Sequence, residues 1–265
     1  MLSIPSRLAD WPLAGLVLCA LLLAGCASRV ELPNDDHALR VRVQNSAIAP
    51  GNGGNLITAE ALQAGDILLT SANSLPSISI QVGTFAPVSH AILYLGDGQV
   101  VEAVASGVRT RTLEQVIEEE RMVVAFRVPG VESAHVERLR TWSLAQVGTR
   151  YNVIGVVLSA PFVLNRRLCE LPLVPTPVRS FCVTGLARIQ LGVSRNDRFF
   201  CSQFIIAAYN HAELPITRAD PRWISPADLL HMRENDVPSI AATKPLRYIG
   251  HLKYKPPPTI ADDAM

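Results

Sequence analysis

Apolar and polar positions follow two rhythms along this chain, a period of two in its first half and a longer, helical period in its second. A short helix over 59–63 leads into Gly65-Asp66-Ile67-Leu68-Leu69, a turn followed by a buried strand. Residues 89–95 (SHAILYL) alternate, with His90, Ile92 and Tyr94 on one face and Ala91, Leu93 and Leu95 on the other. Gly96-Asp97-Gly98 is turn chemistry, and 99–104 returns as the second arm of a hairpin. Strand signals recur at 108–111 and 122–128, around a helical stretch at 113–120. From 132 to 147 the period lengthens, placing Val136, Leu139, Trp142 and Leu144 roughly on one helical face. Residues 152–164 are almost wholly apolar, with Pro161 to kink or end them, and 170–180 is a Pro-rich loop. A helix is expected over 199–211, with Asn196 or Asp197 as its cap and a stop near Leu214-Pro215. A last strand at 246–254 precedes a Pro-rich tail. Strands first and helices later imply an α+β fold with an antiparallel sheet packed against helices.

The first 26 residues stand apart from this pattern. Arg7 precedes an apolar run over 11–23, too short for a membrane span and closed by small residues, as in a secretory signal. Leu23-Ala24-Gly25-Cys26 resembles the bacterial lipobox, whose cysteine becomes the lipidated first residue. A signal peptide that merely contains a cysteine, and is cut elsewhere, is the alternative. By resemblance to sorted lipoproteins, Ala27 points to the outer membrane, with the protein facing the periplasm of a bacterial envelope. Pro33, Asn34, Asp35, Asp36 and the PGNGGN run at 50–55 read as a tether. The expected organisation is a signal at 1–26, a flexible tether at 27–57, a folded domain at 58–255 and a tail at 256–265.

Composition adds exclusions. The 265 residues are 49% hydrophobic, enough for one sizeable core. The net charge is +1, with Lys and Arg scattered, so no concentrated basic face suggests a nucleic-acid partner. His37, His135, His211, His231 and His251 lack metal-ligand spacing and are read as surface or capping residues. No Gly-rich phosphate loop occurs, so neither a metal nor another cofactor is expected. Glu118, Glu119 and Glu120 read as a solvated helix face, and Arg166-Arg167 is thin evidence for membrane contact.

Export to an oxidising compartment changes how the cysteines are read. Cys19 leaves with the signal and Cys26 takes lipid. Cys169 and Cys182 flank the Pro-rich loop as the natural pair, bridged or both reduced. Cys201 is left over. It shares a helical face with Phe204, Ile205 and Ala208, in a first turn whose free N–H groups favour a thiolate. A buried structural cysteine fits the same pattern. His90, at the mouth of an apolar strand, is either a core histidine or a base presented to a cleft. Glu102 lies among four apolar neighbours, where a carboxylate is costly unless paired. Beside an imidazole it would fix the tautomer and stabilise the imidazolium. The turn near Asp97 leaves His90 and Glu102 only loosely opposite, so a bulge is needed to align them.

These motifs taken together (Gly65-Asp66-Ile67-Leu68, Ser89-His90-Ala91, Leu95-Gly96-Asp97-Gly98, Val101-Glu102-Ala103 and Phe200-Cys201-Ser202-Gln203-Phe204) resemble the circularly permuted papain-like proteins. That group includes the YaeF/YiiX amidases and the lecithin retinol acyltransferases, distant relatives of NlpC-type cell-wall peptidases. The resemblance covers about 64–230. It implies Cys201 as nucleophile at a helix N-terminus, His90 as base and Glu102 as orienter. Glu102 follows His90 by twelve positions, as the third polar residue does in the family, and the Glu form is nearer YaeF/YiiX than the acyltransferases. The stretch 151–198 departs from the pattern. Tyr151 is either a cleft residue or a packing aromatic. The implied reaction is acyl transfer through a thioester on a cell-wall peptide or a lipid-derived acyl substrate. A cysteine amidase or peptidase leads. A fatty-acyl transferase or esterase is the second reading, and a non-catalytic binding lipoprotein the third.

Overall fold

The computed structural model describes residues 27–33, 38–48, 50, 54–72, 86–150, 169–170, 174–175, 178–179, 181–183, 185–186 and 200–256. Cys26, Tyr151 and the apolar run 152–164 lie outside them. The first elements are β1 (Ser28–Glu31) and β2 (Arg40–Val43), paired as an antiparallel hairpin. They are followed by β3 (Ile67–Ser71), β4 (His90–Gly96), β5 (Gln99–Val104) and β6 (Gly107–Thr112). Then come α1 (Leu113–Glu119), β7 (Met122–Arg127), α2 (Ser133–Ala145), α3 (Cys201–His211), α4 (Pro226–His231) and β8 (Arg247–Tyr254). Strands β3 to β8 form one sheet in the order β6-β5-β4-β3-β7-β8, and every pair in it is antiparallel. The class is α+β.

Alternation explains why the sheet needs cover on both faces. Leu69, Leu93, Val101, Val124 and Phe126 join the larger core, where α3 brings Phe204, Ile205 and Ala208. Leu68, Ile92, Val100, Val123 and Ala125 form a smaller core on the other face, closed by Leu113 and Val116 of α1. The Tyr209 hydroxyl of α3 donates to the Gly65 carbonyl at the head of β3, fixing the helix along the sheet. Thr112 and Gln115 make a reciprocal capping box on α1, and Ser225 and Asp228 make one on α4.

Two features differ from expectation. Residues 27–57, read as a tether, carry the β1–β2 hairpin and are fastened to the domain. Gln44 Nε2 donates to the Val237 carbonyl at 3.1 Å, and the Asn45 N–H to Asp236 at 2.9 Å. Ile48 is buried in the larger core. Pro, Asn and Asp report turn content, and they carry no signal for side-chain bonds to residues almost 200 positions away. The second feature is the pair of histidines His231 and His251. They are buried, not superficial: His231 Nδ1 lies 2.9 Å from Asp236 and His251 Nδ1 lies 2.8 Å from the Tyr248 hydroxyl.

Candidate active site

The turn that closes the β4–β5 hairpin sets the register of everything behind it. Gly96, Asp97 and Gly98 all have left-handed backbones, at φ +94°, 52° and +70°. Glycine adopts this region without a Cβ penalty, and aspartate is among the residues that tolerate it. An irregularity between Tyr94 and Gly96 shifts the pairing so that Ile92 faces Glu102. His90 is then the diagonal neighbour of Glu102 on the same face, and its Nε2 lies 2.8 Å from Glu102 Oε2. Hairpin and bulge together supply the alignment that plain residue counting from Asp97 leaves open.

His90 is the first residue of β4, at the rim of the sheet, where both faces are within reach of its ring. Cys201 belongs to the larger core, on the α3 side, and is the first residue of that helix. Its sulfur is hydrogen-bonded to the His90 side chain and to the backbone of Ala91 and Ser202. With Nε2 given to Glu102, Nδ1 is the ring atom left for the sulfur. The His90 side chain keeps 19% exposure, whereas that of Glu102 keeps 2%. The ring therefore sits at a mouth and the carboxylate behind it. The three residues come together from β4, β5 and α3, and Cys201 is the free cysteine among the described residues. Cys169 and Cys182 are joined in a disulfide with their Cα atoms 5.6 Å apart.

Electrostatics favour a thiolate–imidazolium pair. Burial pushes the Cys201 thiol up, but the facing His90, its hydrogen bond and the Ala91 and Ser202 backbone hold it below its ordinary value. Burial pulls His90 down, yet the Cys201 sulfur and the Glu102 carboxylate carry it up to about 10. Glu102 would be raised by burial, and its bonds to His90 and Arg109 bring it to about 2.

Sequence reasoning missed the groups behind Glu102. Its Oε1 accepts from Arg109 Nε at 2.9 Å and lies 2.8 Å from Arg109 Nη2. Arg111 Nη1 reaches the same oxygen at 3.4 Å, and Arg111 Nη2 lies 2.7 Å from Glu119. The alternation of β6 held the signal, because Glu102 pairs with Arg109 across the ladder and Arg111 lies two residues further on the same face. Glu120 also departs from the solvated face expected of it. It is half-buried, and its Oε2 has no hydrogen-bond partner among the described residues. Burial raises its carboxyl, as does the charge of Glu102, against the pull of His90, Thr70 and Arg111.

A cavity of about 410 Å³ lies elsewhere, lined by Gly65, Asp66, Arg127, Glu132 and Arg247 among others. It sits at the opposite end of β3 from Thr70, the residue that pairs with His90, and has no part in this cluster. Among the described residues, no three His, Cys, Asp or Glu side chains gather as metal ligands, and no helix is long and apolar enough to cross a membrane.

No family model matches the chain. A solved structure described as the metalloprotein YiiX of Escherichia coli O157:H7 aligns with 71% of this chain and 96% of its own, at 18% identity and a TM-score of 0.41. The chain is 32% identical over 244 residues to "Probable lipoprotein peptidase YaeF" of Escherichia coli K12, covering 88% of this chain and 89% of that one. On that identity and coverage, the chain belongs to the YaeF/YiiX family.

Proposed function

We propose that this protein is a cysteine hydrolase of the bacterial envelope that cleaves an amide or peptide bond through a thioester at Cys201. The observation that carries the reading is the continuous contact from the Cys201 sulfur through the His90 ring to the Glu102 carboxylate. Kinship with a protein named a lipoprotein peptidase supports the same class. In the resting pair the sulfur is already ionised and His90 holds the proton. The thiolate attacks the substrate carbonyl carbon. The oxyanion meets the Cys201 N–H, which heads α3 and is left over by the helix ladder. His90 then protonates the leaving amine, leaving a thioester and a neutral ring. The ring next takes a proton from water, and the hydroxide releases the acid and regenerates the thiolate. Glu102 holds the ring in place and offsets its charge in each cationic stage.

Lipidation at Cys26, with Ala27 sorting the chain to the outer membrane, would hold this chemistry facing the periplasm, beside the murein layer. Stem peptides of murein are therefore the first substrates to offer. Mature protein incubated with muropeptides should shorten or release stem peptides, and Cys201→Ala should lower the rate to background. Equal inertness of both proteins on peptide and amide substrates would sink the reading. The mass of the adduct trapped on Cys201 identifies the acyl group, and a fatty acyl mass would replace the peptide reading with a lipid one.

A further inference from the structure

The start of the described chain reverses the usual order of a protein surface. β1 and β2 form a two-stranded sheet of their own. Their register sets Val30 against Val41 and Ser28 against Val43 on one face, with Arg29 against Arg42 and Glu31 against Arg40 on the other. The aliphatic side chains are open: Val30 43%, Val41 54% and Val43 56% exposed, with Leu39 at 60% and Leu32 at 75% beside the strand ends. Five of the ten large hydrophobics that stand exposed among the described residues lie in this one hairpin, so the patch is not scattered surface. On the other face, Glu31 and Arg42 are half-buried and paired at 3.4 Å.

The hairpin is held rigidly in place. Arg179 is fully buried and donates to the carbonyls of Ser28, Val174 and Pro238. Gln44 returns to the Ala27 carbonyl at 2.8 Å and Arg233 to that of Asn45 at 2.6 Å. Ala27 itself is buried. An apolar face held this firmly in the open calls for a cover that the other described residues do not supply.

Position identifies the cover. Ser28 is two residues from Cys26, a reach of at most about 7 Å. A lipid on Cys26 therefore brings the apolar face to the bilayer. The charges of the segment 28–43 balance, Arg29, Arg40 and Arg42 against Glu31, Asp35 and Asp36, so the apolar face and the nearby anchor, not charge, select the bilayer. We propose that the β1–β2 hairpin seats the enzyme on the membrane, its apolar face in the headgroup–acyl boundary. The proposal rests on the lipid anchor given above. It makes the anchor a fixed mount, so that the Cys201 cleft has one orientation to the surface.

Tryptophan quenching tests this in the mature chain. Val41→Trp places a probe on the apolar face, and Glu118→Trp places a control on exposed α1. Each is bound to vesicles of phosphatidylglycerol and phosphatidylcholine brominated along its acyl chains. Emission from position 41 should fall by at least about twofold more than that from position 118. Equal quenching at the two positions overturns the proposal, as does a concentration-dependent blue shift at position 41 without vesicles, which assigns the face to a second copy. Intact mass and flotation report the anchor separately. An acylated, floating chain with an unquenched probe sinks the hairpin and keeps the anchor. A chain without acyl mass sinks the anchor, and quenching at position 41 in that chain still supports the hairpin.

Discussion

Glu102 divides its two oxygens between different partners, Oε2 for the His90 ring and Oε1 for Arg109 and Arg111. The division separates two effects of the carboxylate, its charge and its position. With Glu102 at about 2, even a rise to its ordinary value leaves it ionised at neutral pH. Arg109→Met should therefore cost less than about tenfold in kcat/KM at pH 7, since Arg109 is half-exposed and screened. Its signature is an acid limb that moves to higher pH, read from rates between pH 3 and 7. Glu102→Gln removes the charge itself and should cost about two to four orders of magnitude. It should also lower the alkaline limb, because His90 reaches about 10 partly through this carboxylate. Alkylation of Cys201 by iodoacetamide across pH 5 to 11 reads that limb without any substrate. An unchanged limb in Glu102→Gln would mean that the carboxylate does not act on the ring.

At the scale of elements, the site depends on a three-residue turn. A Cβ at Gly96 would lie 3.3 Å from that of Ala64, on a backbone at φ +94°. Gly96→Ala should cost about 1–2 kcal/mol in stability. It should lower kcat/KM as well, because the shifted register that sets Glu102 diagonal to His90 begins at this residue. Chemical denaturation and peptidase assays on one preparation measure both effects. The disulfide closes a loop between positions 13 apart, so the double variant Cys169→Ala/Cys182→Ala should lose about 3 kcal/mol while Cys201 stays reactive. The hairpin around Gly96-Asp97-Gly98, the α3 helix and the α+β class were legible in the sequence, because period, turn residues and apolar context are local signals. The need for a bulge between His90 and Glu102 was legible too, though not its place at Tyr94–Gly96; the arginines on β6 and the fastening of residues 27–48 were not. Each depends on partners set by the tertiary register: Glu102 opposite Arg109, or Asn45 against Asp236. Glu120 was misplaced for the same reason, since a run of three acids carries no local sign of which one turns toward His90.

Across the whole molecule, the site's charges link folding to pH in two directions. Glu102 is held far below its ordinary 4.5, so its contribution is complete above that value and is lost as pH falls toward about 2. His90 is held far above its ordinary 6.5, so its contribution is complete below that value and is lost as pH climbs toward about 10. Both are in force between roughly pH 4.5 and 6.5. Melting temperatures of the wild type and of Glu102→Gln, measured from pH 7 down to pH 3, isolate the first contribution. The variant should melt lower at pH 7, because Arg109, Arg111 and His90 then face a neutral amide in a site where Glu102 is 1% exposed. As pH falls below 4.5 the wild type draws on progressively less of its carboxylate, so the gap between the two curves should narrow. A gap that stays constant across that range would show that Glu102 supports the fold through packing alone. The chain of charge from Arg109 to Cys201 would then serve the reaction without stabilising the protein.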